Sequence, residues 1–524
     1  MNNSKNKKLL WISDFHYSGY TLVSNMLIPF LLKKYDIYIL IINSPKCSAD
    51  EMNTIMKFKI DSDKIYKVDI GKLTNGEEFI KDYVTNYKMG VFEIPLLLKQ
   101  HNFDYIFSIN DCHILIKQLK IIEKNNFKGK TIVYMPVDGD SSTYNYFNEL
   151  NMADYIITMR NNSKKLMQTY GITKDIYVLE HGLNKLIKPL KDKSSLRKEF
   201  FGDRISDDDF IIMNVNVNGT RKRLDLTLES FYLLHSKYNC IKKIFLVIKS
   251  GQYNGTNFNF DEINKKLIEK YQINLSDKIY LKDDKYDVET LNKFYNCADM
   301  YISTTSGEGW GLTAFEFLQI GVFTLVPDNT SYREYFHHSN RIKTHLEPYS
   351  KGRLLLDNLP KHDVMYTMCI MWYNPIDAKI NIRDDLSTTI KCHEINLKPN
   401  SKFSSLIDIV NERPNLPHIF KILLYVDISN NFKFVEKIMD EYKSFDFTGS
   451  FNDYDMKIIP TTNFDMYITT VGIVDLDDMA HKMYTYIQNP IINNELLEFN
   501  KEMLSRLTPD KIGQNLLEIV DNFQ

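Results

Sequence analysis

Three features are scarce in this sequence: paired cysteines, long apolar runs and an excess of charge of one sign. The chain has 524 residues and six cysteines, which are scattered without a Cys-x-x-Cys pair and so argue against a disulfide framework and a structural zinc site. No apolar run approaches the roughly eighteen residues that a membrane span needs. The 65 basic and 67 acidic side chains give a formal net charge of −2, which does not favour a nucleic-acid partner.

These absences predict a soluble protein of a reducing, cytoplasmic compartment, and they leave open peripheral association with a membrane. After the basic start MNNSKNKK, the apolar stretch LLWI is too short for a secretory signal. With 44% hydrophobic and 25% charged residues, the composition is that of a globular protein. The length predicts about three or four domains.

Short β-branched runs alternate with longer runs of helical period along most of the chain. LLWIS, IYILII, YIFSI and TIVYM are predicted strands, and TLVSNMLIPFLLKK and ILIKQLKIIEK are predicted helices between them. This order predicts parallel βαβ units. A second series begins at IIMNVNV, after a basic segment at 186–208 that lacks a strand pattern and is predicted to be a linker.

The two series predict an α/β protein with two facing, doubly wound, Rossmann-like domains. We place them at 1–190 and 205–345 and expect the ligand in the cleft beyond the carboxyl ends of their strands. The alternation breaks over 346–455, which is predicted to be an insertion of unassigned role. The residues 456–524 are mainly helical in period, and we predict that they complete the second domain.

The segment SGEGWGLT, residues 306–313, lies between a predicted strand and a predicted helix. Its three glycines would let a ligand approach the backbone closely. The start of the following helix is a favourable position for a phosphate, because its amides are unpaired and the helix dipole is positive there. We therefore predict that Gly311, Leu312 and Thr313 bind a phosphate of the ligand.

Two carboxylates, Glu308 and Glu316, lie in this segment and the following helix. Carboxylates suit the paired hydroxyls of a sugar, whereas they would repel a diphosphate. Next to a phosphate position, they predict a ligand with both sugar rings and phosphates, such as a nucleotide sugar. The alternative interpretation is that both are ordinary surface residues.

The turn NGTRKR, residues 218–223, opens the helix that follows the strand IIMNVNV. Cations at a helix start oppose its dipole, so the arrangement is unfavourable unless an anion binds there. We predict that Arg221 and Lys222 bind a diphosphate, with Arg221 able to contact two oxygens at once. Arg223 is a further candidate, and a solvated basic turn is the alternative.

These residues resemble a known family. SGEGWGLTAFEFLQIG, with Glu308 and Glu316 in E-x7-E spacing, is similar to the donor-site signature of retaining glycosyltransferases of family 4, the glycogen synthase-like group 1 enzymes of GT-B fold. NVNVNGTRKRLDLTLESF resembles the diphosphate segment that precedes this signature. YMPVDG, MADYIITMRNNSKKLMQTYGI and YVLEHGLN resemble the end of the N-terminal domain in one branch of that family.

The resemblance implies a role for each matching residue. Glu308 would face the donor sugar, Glu316 would hold the ribose hydroxyls and Lys222 would neutralise the diphosphate. The loop at Gly19 would approach the phosphates from the first domain, and Asp138 would contact the sugar.

Two positions depart from the family pattern. Val217 stands where many members carry an arginine, so Arg221 or Arg223 would have to substitute for it. Val137 replaces the histidine of a His-Asp pair.

A metal and a catalytic histidine are the remaining possibilities at the level of sequence. Asp138-Gly139-Asp140 has the D-x-D pattern of metal-dependent glycosyltransferases, but such triplets are common and the cationic turn makes a metal unnecessary. We therefore predict no metal cofactor. His181 is predicted to be structural, Cys112-His113 lacks companion ligands, and His16 is a weak candidate for the cleft.

The sequence as a whole predicts a retaining hexosyltransferase of glycan biosynthesis. It would move a sugar from a nucleoside diphosphate donor of UDP or GDP type to a hydroxyl of a glycan, lipid or protein glycoconjugate. One alternative is an inactive protein of the same fold that binds a nucleotide sugar or a glycan. Another is a sugar-nucleotide epimerase or a phosphorylase.

Overall fold

The computed structural model describes two compact units. The larger unit comprises Met1–Asp140, Tyr144–His345 and Gly472–Gln524, and the smaller comprises Ser141–Thr143 and Leu346–Val471. The residues that the structure describes are 7–15, 19–42, 55–68, 89–139, 147–251, 258–350 and 468–523, together with five short strands between 393 and 460.

Seven parallel strands form the first sheet of the larger unit. They are β1 (Lys7–Asp14), β2 (Tyr35–Ile42), β3 (Ile65–Lys67), β4 (Tyr105–Ile109), β5 (Lys130–Met135), β6 (Tyr155–Thr158) and β7 (Ile176–Val178). Their order across the sheet is β3-β2-β1-β4-β5-β6-β7, so the winding reverses between β1 and β4. We call this part of the unit the N-terminal lobe.

Alternate residues of each strand point to opposite sides of this sheet, and the apolar residues on both sides are buried. Leu9 and Trp11 belong to one apolar cluster, and Leu10 and Ile12 belong to another. The described residues of the lobe form four α-helices: α1 (Gly19–Leu31), α2 (Glu93–Gln100), α3 (Cys112–Lys124) and α4 (Asn161–Thr169).

The predicted linker at 186–208 contains a helix, α5 (Lys193–Phe201), which the sequence analysis missed. Asp192 caps its start by accepting a hydrogen bond from the Ser195 amide at 3.0 Å. Its buried face includes Arg197, whose guanidinium donates to the Cys297 carbonyl and forms an ion pair with Asp299. A charged residue on the buried face hid the amphipathic pattern that predicts a helix.

Six parallel strands form the second sheet. We call this sheet and its helices the C-terminal lobe. The strands are β8 (Phe210–Val215), β9 (Ile244–Lys249), β10 (Ile279–Lys282), β11 (Met300–Ile302), β12 (Phe323–Pro327) and β13 (Arg341–Ile342). Their order is β10-β9-β8-β11-β12-β13, which reverses between β8 and β11. The helices are α6 (Leu224–Lys237), α7 (Phe260–Tyr271), α8 (Val288–Tyr295), α9 (Leu312–Gln319) and α10 (Thr330–Tyr335).

The smaller unit is described only by its strands. Beyond β14 (Thr344–Ser350), these are β15 (His393–Ile395), β16 (Ser401–Lys402), β17 (Phe420–Leu424), β18 (Ser450–Phe451) and β19 (Met456–Pro460). β19 pairs antiparallel with β15 and β17, and β16 pairs antiparallel with β18. β20 (Ile468–Val474) pairs with β14.

Three helices end the chain: α11 (Leu476–Gln488), α12 (Asn494–Arg506) and α13 (Pro509–Asp521). α11 packs against α6 of the C-terminal lobe, but α13 packs against α1 of the N-terminal lobe. The assignment of all of 456–524 to the second domain therefore needs correction. Gly513 permits this packing, since a Cβ there would lie 2.4 Å from the Phe30 ring.

The α/β class and the two doubly wound, Rossmann-like sheets predicted from the sequence are confirmed. The predicted strand YIFSI coincides with β4, and IYILII lies within β2. Across the described residues, no helix combines the length and apolar composition required to cross a membrane.

Candidate functional site

Polar residues at the carboxyl ends of both sheets meet at one place in the larger unit. Asp138 follows β5, the basic turn with Arg221 and Lys222 follows β8, and Glu308 follows β11. This is the edge at which open parallel sheets bind ligands. The basic turn is tied to the glycine loop through its backbone, because the Ser306 amide donates to the Arg221 carbonyl at 2.8 Å.

Glu308 forms ion pairs with both cations of the turn. Its Oε1 accepts a hydrogen bond from Lys222 Nζ, and its Oε2 accepts one from Arg221 Nη1 at 3.1 Å. The Glu308 side chain is 9% exposed, that of Lys222 is 13% exposed and that of Arg221 is 28% exposed. The predicted acid and the predicted cations therefore form one largely buried cluster.

Opposite charges within this cluster act against the effect of burial on its members. Burial alone would raise the pKa of Glu308, but the Lys222 ammonium and the Arg221 guanidinium hold that pKa at about 2. Burial lowers the pKa of Lys222, and the Glu308 carboxylate opposes this effect. Asp138 and Glu308 overcome the effect of burial on Arg221 and raise its pKa. Glu308 is accordingly ionised at neutral pH.

Asp138 connects the two lobes. Its Oδ1 accepts a hydrogen bond from the Gly309 amide at 2.7 Å, and its Oδ2 lies 3.4 Å from Arg221 Nη2. Burial raises the pKa of Asp138, an effect that Arg221 opposes. With Glu308 and Lys222, the cluster holds two carboxylates and two cations, so its charges balance when no ligand is bound.

The glycines of the loop allow close contact between the lobes. A Cβ at Gly307 would lie 1.9 Å from the Asp138 carbonyl oxygen, and one at Gly309 would lie 2.6 Å from Pro136 Cβ. Gly311 has φ +90° and faces the Tyr332 ring at 2.5 Å from an added Cβ. From the sequence, these glycines were predicted to let a ligand approach the backbone closely. In the structure, they let the loop fit against protein groups.

The starts of two helices lie close to each other near the cluster. α9 begins at Leu312, and Leu312 and Thr313 are partly exposed. Gly19, at the start of α1, lies against this position, since an added Cβ would be 3.4 Å from Leu312 Cδ1. Helix starts carry partial positive charge, so their convergence suits a phosphate group.

Glu316 lies on α9 and is 7% exposed. Its Oε2 accepts a hydrogen bond from the Tyr295 hydroxyl at 3.1 Å. Burial raises the pKa of Glu316 to about 7, although hydrogen bonds from Tyr295 and Asn184 act to lower it. Near neutral pH, this carboxyl group is present in both protonation states. It can therefore accept a hydrogen bond from a hydroxyl or donate one to it. Its ribose-binding role stays a prediction.

The structure separates the two arginines that could substitute for Val217. Arg221 contacts Glu308, whereas the Arg223 guanidinium donates to both carboxylate oxygens of Asp225, at 3.0 and 2.8 Å. Arg223 has φ +47°, in the left-handed region, and immediately precedes α6. Val217 itself is 71% exposed. Arg221 is thus the arginine that joins the cluster.

His181 is buried between Tyr134 and Trp310, with ring centroids 5.7 and 5.4 Å away. Neither of its ring nitrogens has a hydrogen-bond partner in the part of the chain that the structure describes. Burial lowers its pKa to about 3, so the ring is neutral. His16 and Asp140 lie outside the described residues.

Among the described residues, no group of three or more His, Cys, Asp or Glu side chains is arranged to hold a metal ion. Asp138 is instead occupied with Gly309 and Arg221. Metal-independent donor binding stays a prediction.

Several residues that support the site were not predicted from the sequence. Thr330 accepts a hydrogen bond from the Glu308 amide at 2.9 Å. Arg160, which is 1% exposed, donates to the carbonyls of Val137 and Gly139 and so supports the Asp138 loop. Thr330 and Arg160 come shortly after β12 and β6. The rule that ligands bind beyond strand carboxyl ends would have drawn attention to both.

Several solved structures resemble this chain. The complex of Anabaena Alr3699/HepE with UDP and glucose is 12% identical to this chain, with a TM-score of 0.46. The match covers 64% of this chain and 85% of that chain. Sucrose-phosphate synthase from Thermosynechococcus elongatus is 14% identical, with a TM-score of 0.48 and coverages of 64% and 86%. An E. coli structure described as trehalose-6-phosphate bound with UDP-2-fluoro glucose is 13% identical, with a TM-score of 0.45 and coverages of 63% and 86%.

No curated protein matches the chain. A family model described as glycosyl transferases group 1 matches residues 196–355. The matched segment includes the basic turn, the glycine loop and α9. The resemblance to group 1 glycosyltransferases predicted from the sequence is therefore confirmed over residues 196–355, the segment that carries Arg221, Lys222, Glu308 and Glu316.

Proposed function

We propose that the protein is a retaining glycosyltransferase, which moves a sugar from a nucleoside diphosphate sugar to an acceptor hydroxyl. The observation that carries the proposal is the buried cluster in which Glu308 contacts both Arg221 and Lys222 at the junction of the two lobes. The group 1 match over residues 196–355 supports the same activity. A site that combines cations with carboxylates suits a ligand that combines phosphates with hydroxyls.

The cations would act on the leaving group. Negative charge grows on the diphosphate as the glycosidic bond breaks, so Arg221 and Lys222 would stabilise the transition state more than the ground state. The helix starts at Gly19 and Leu312 would add partial positive charge from both lobes. The described residues thus supply cationic groups and amides without requiring a metal.

Donor binding would exchange partners within the cluster. Without ligand, Glu308 and Asp138 balance the charges of Arg221 and Lys222, which limits the penalty of burying them. A bound diphosphate would take over the cations, and the carboxylates would accept hydrogen bonds from sugar hydroxyls. Glu316 would bind the ribose hydroxyls as either a donor or an acceptor, because its pKa is about 7.

The resemblance suggests how the configuration is retained. A departing phosphate oxygen would take the proton of the acceptor hydroxyl on the same face of the sugar, so no protein base is required. Contact between the lobes would exclude water and limit hydrolysis. We propose a UDP- or GDP-type donor, a glycan, lipid or protein glycoconjugate as acceptor, and a cytoplasmic location.

The test is incubation of the full chain with UDP, GDP and dTDP sugars, with and without candidate acceptors. Release of nucleoside diphosphate that depends on the acceptor, with and without a chelator, supports the proposal. NMR of the anomeric proton of the product tests retention, and an inverted product would refute it. Tight donor binding without release would favour a non-catalytic binding protein, and a product formed without acceptor or only with phosphate would indicate an epimerase or phosphorylase.

A further inference from the structure

Thr330 has a backbone conformation that its side chain disfavours. Its φ is +40°, and it is the β-branched member of the four non-glycine residues with positive φ in the described part of the chain. A β-branched residue rarely adopts this left-handed conformation, which persists only where the surroundings enforce it. Thr330 is 1% exposed at the start of α10. The groups around it therefore hold it in place.

A chain of hydrogen bonds connects Thr330 to the loop of Glu308. Thr330 Oγ1 accepts from the Glu308 amide at 2.9 Å and donates to Asn329 Oδ1 at 3.0 Å. Asn329 Nδ2 donates to the Thr305 carbonyl at 3.4 Å and to the Gly472 carbonyl at 3.1 Å. Asn329 is fully buried. We call Asn329 and Thr330 the loop clamp.

Gly472 completes the surroundings of the clamp. Its amide donates to the Ser306 carbonyl at 3.0 Å, so β20 is bonded to both the loop and the clamp. A Cβ at Gly472 would lie 2.8 Å from Asn329 Cβ and Nδ2. The absence of a side chain at this position is what allows Asn329 to reach the loop.

Glu308 is consequently held at both ends. Thr330 fixes its backbone amide, while Lys222 and Arg221 hold its carboxylate. A small shift of the backbone would move the carboxylate relative to a bound sugar, and displacements of about 1 Å can reduce turnover by about a hundredfold.

We infer that Asn329 and Thr330 are positioning residues, which act through the backbone of Glu308 to place its carboxylate against the donor sugar. The inference rests on the proposed function, because it assumes that Glu308 faces the transferred sugar. It adds two residues outside the basic turn and the glycine loop to those that determine the rate of transfer.

The central test compares Thr330→Val with Thr330→Ser. Valine keeps the shape of threonine but leaves the Glu308 amide without its acceptor, whereas serine keeps the oxygen. We expect Thr330→Val to reduce kcat by about ten- to a hundredfold, with little change in donor KM, and Thr330→Ser to retain kcat within about threefold of the wild type. Equal kcat for the two variants would overturn the inference.

Two further measurements separate positioning from loss of structure. The affinity for free UDP or GDP, measured by calorimetry, should be unchanged in Thr330→Val, since these ligands lack the sugar. Hydrogen exchange at the Glu308 amide should be faster in Thr330→Val than in Thr330→Ser. Loss of nucleotide affinity together with activity would indicate a structural defect and would overturn the inference.

A second route to the clamp uses glycine variants. Gly472→Ala should displace Asn329 and reduce kcat in the same way as Thr330→Val. Gly251→Ala is the matched control, because a Cβ at Gly251 meets no atom of the described residues within 4 Å. A wild-type enzyme that releases nucleotide from no donor would overturn the proposed function itself. An active wild type with unaffected Thr330→Val and Gly472→Ala variants would overturn the clamp alone.

Discussion

The backbone amide of Gly309 donates to the Asp138 carboxylate at 2.7 Å, which joins the glycine loop of one lobe to the strand end of the other. The same carboxylate lies 3.4 Å from Arg221, a proposed diphosphate ligand. Asp138 supports the loop that carries Glu308, and under the proposed function it would compete with a donor phosphate for Arg221.

Asp138→Asn separates these two effects. The amide oxygen of asparagine can still accept from Gly309, but the negative charge beside Arg221 is lost, so the cluster becomes positive. We expect the affinity for free UDP or GDP to rise severalfold and kcat to fall, as measured by calorimetry and by nucleotide release. An unchanged nucleotide affinity would show that Asp138 does not compete for Arg221.

Lys222→Ala should reduce turnover by about two orders of magnitude, the scale of losing one group that stabilises a transition state. Lys237→Ala is a control of equal chemistry, since Lys237 forms a surface ion pair with Asp477. Initial rates at saturating donor measure the effect. Turnover equal to that of the control would remove Lys222 from the mechanism.

Glu316 should make stability depend on pH. Burial raises its folded pKa to about 7 from a usual value near 4.5, so the folded state binds the proton more tightly than the unfolded state. Stability therefore falls as pH rises from about 4.5 to about 7, by on the order of 3 kcal/mol. Denaturant unfolding of Glu316→Gln should lack this decrease. Parallel pH profiles for the variant and the wild type would contradict the assignment.

Glu334 should contribute to stability through a helix of the other lobe. Its carboxylate accepts from the amides of Asn161 and Asn162, at 2.9 and 3.0 Å, at the start of α4. Loss of such a cap costs about 1 kcal/mol. Glu334→Ala should accordingly melt at a lower temperature than the wild type in calorimetry. The exposed Glu269→Ala is the control, and equal melting temperatures would show that the cap is unimportant.

The sequence predicted the central strands of both sheets well, because strands buried on both faces form continuous apolar runs. β4 and β5 are examples of such runs. It did not predict α5, since Arg197 lies on the buried side of that helix and interrupts its apolar pattern.

The candidate site was predictable where chemistry resides in side-chain type and spacing, as with Arg221, Lys222 and Glu308. Thr330 and Arg160 were not predicted, because they act through hydrogen bonds to main-chain groups, so only their position after a predicted strand marks them in the sequence. The loop glycines were detected, but contacts such as that between Gly307 and Asp138 required coordinates.

The balanced charges of Asp138, Arg221, Lys222 and Glu308 have a consequence for ligand discrimination. An inorganic anion that binds Arg221 or Lys222 leaves a carboxylate without its ion-pair partner. A free monosaccharide that binds Glu308 leaves an ammonium or guanidinium group without its partner. Unpaired buried charges are costly. The complete donor molecule offers replacements for every broken ion pair at once, so we expect the site to bind it more tightly than it binds inorganic phosphate or a free monosaccharide.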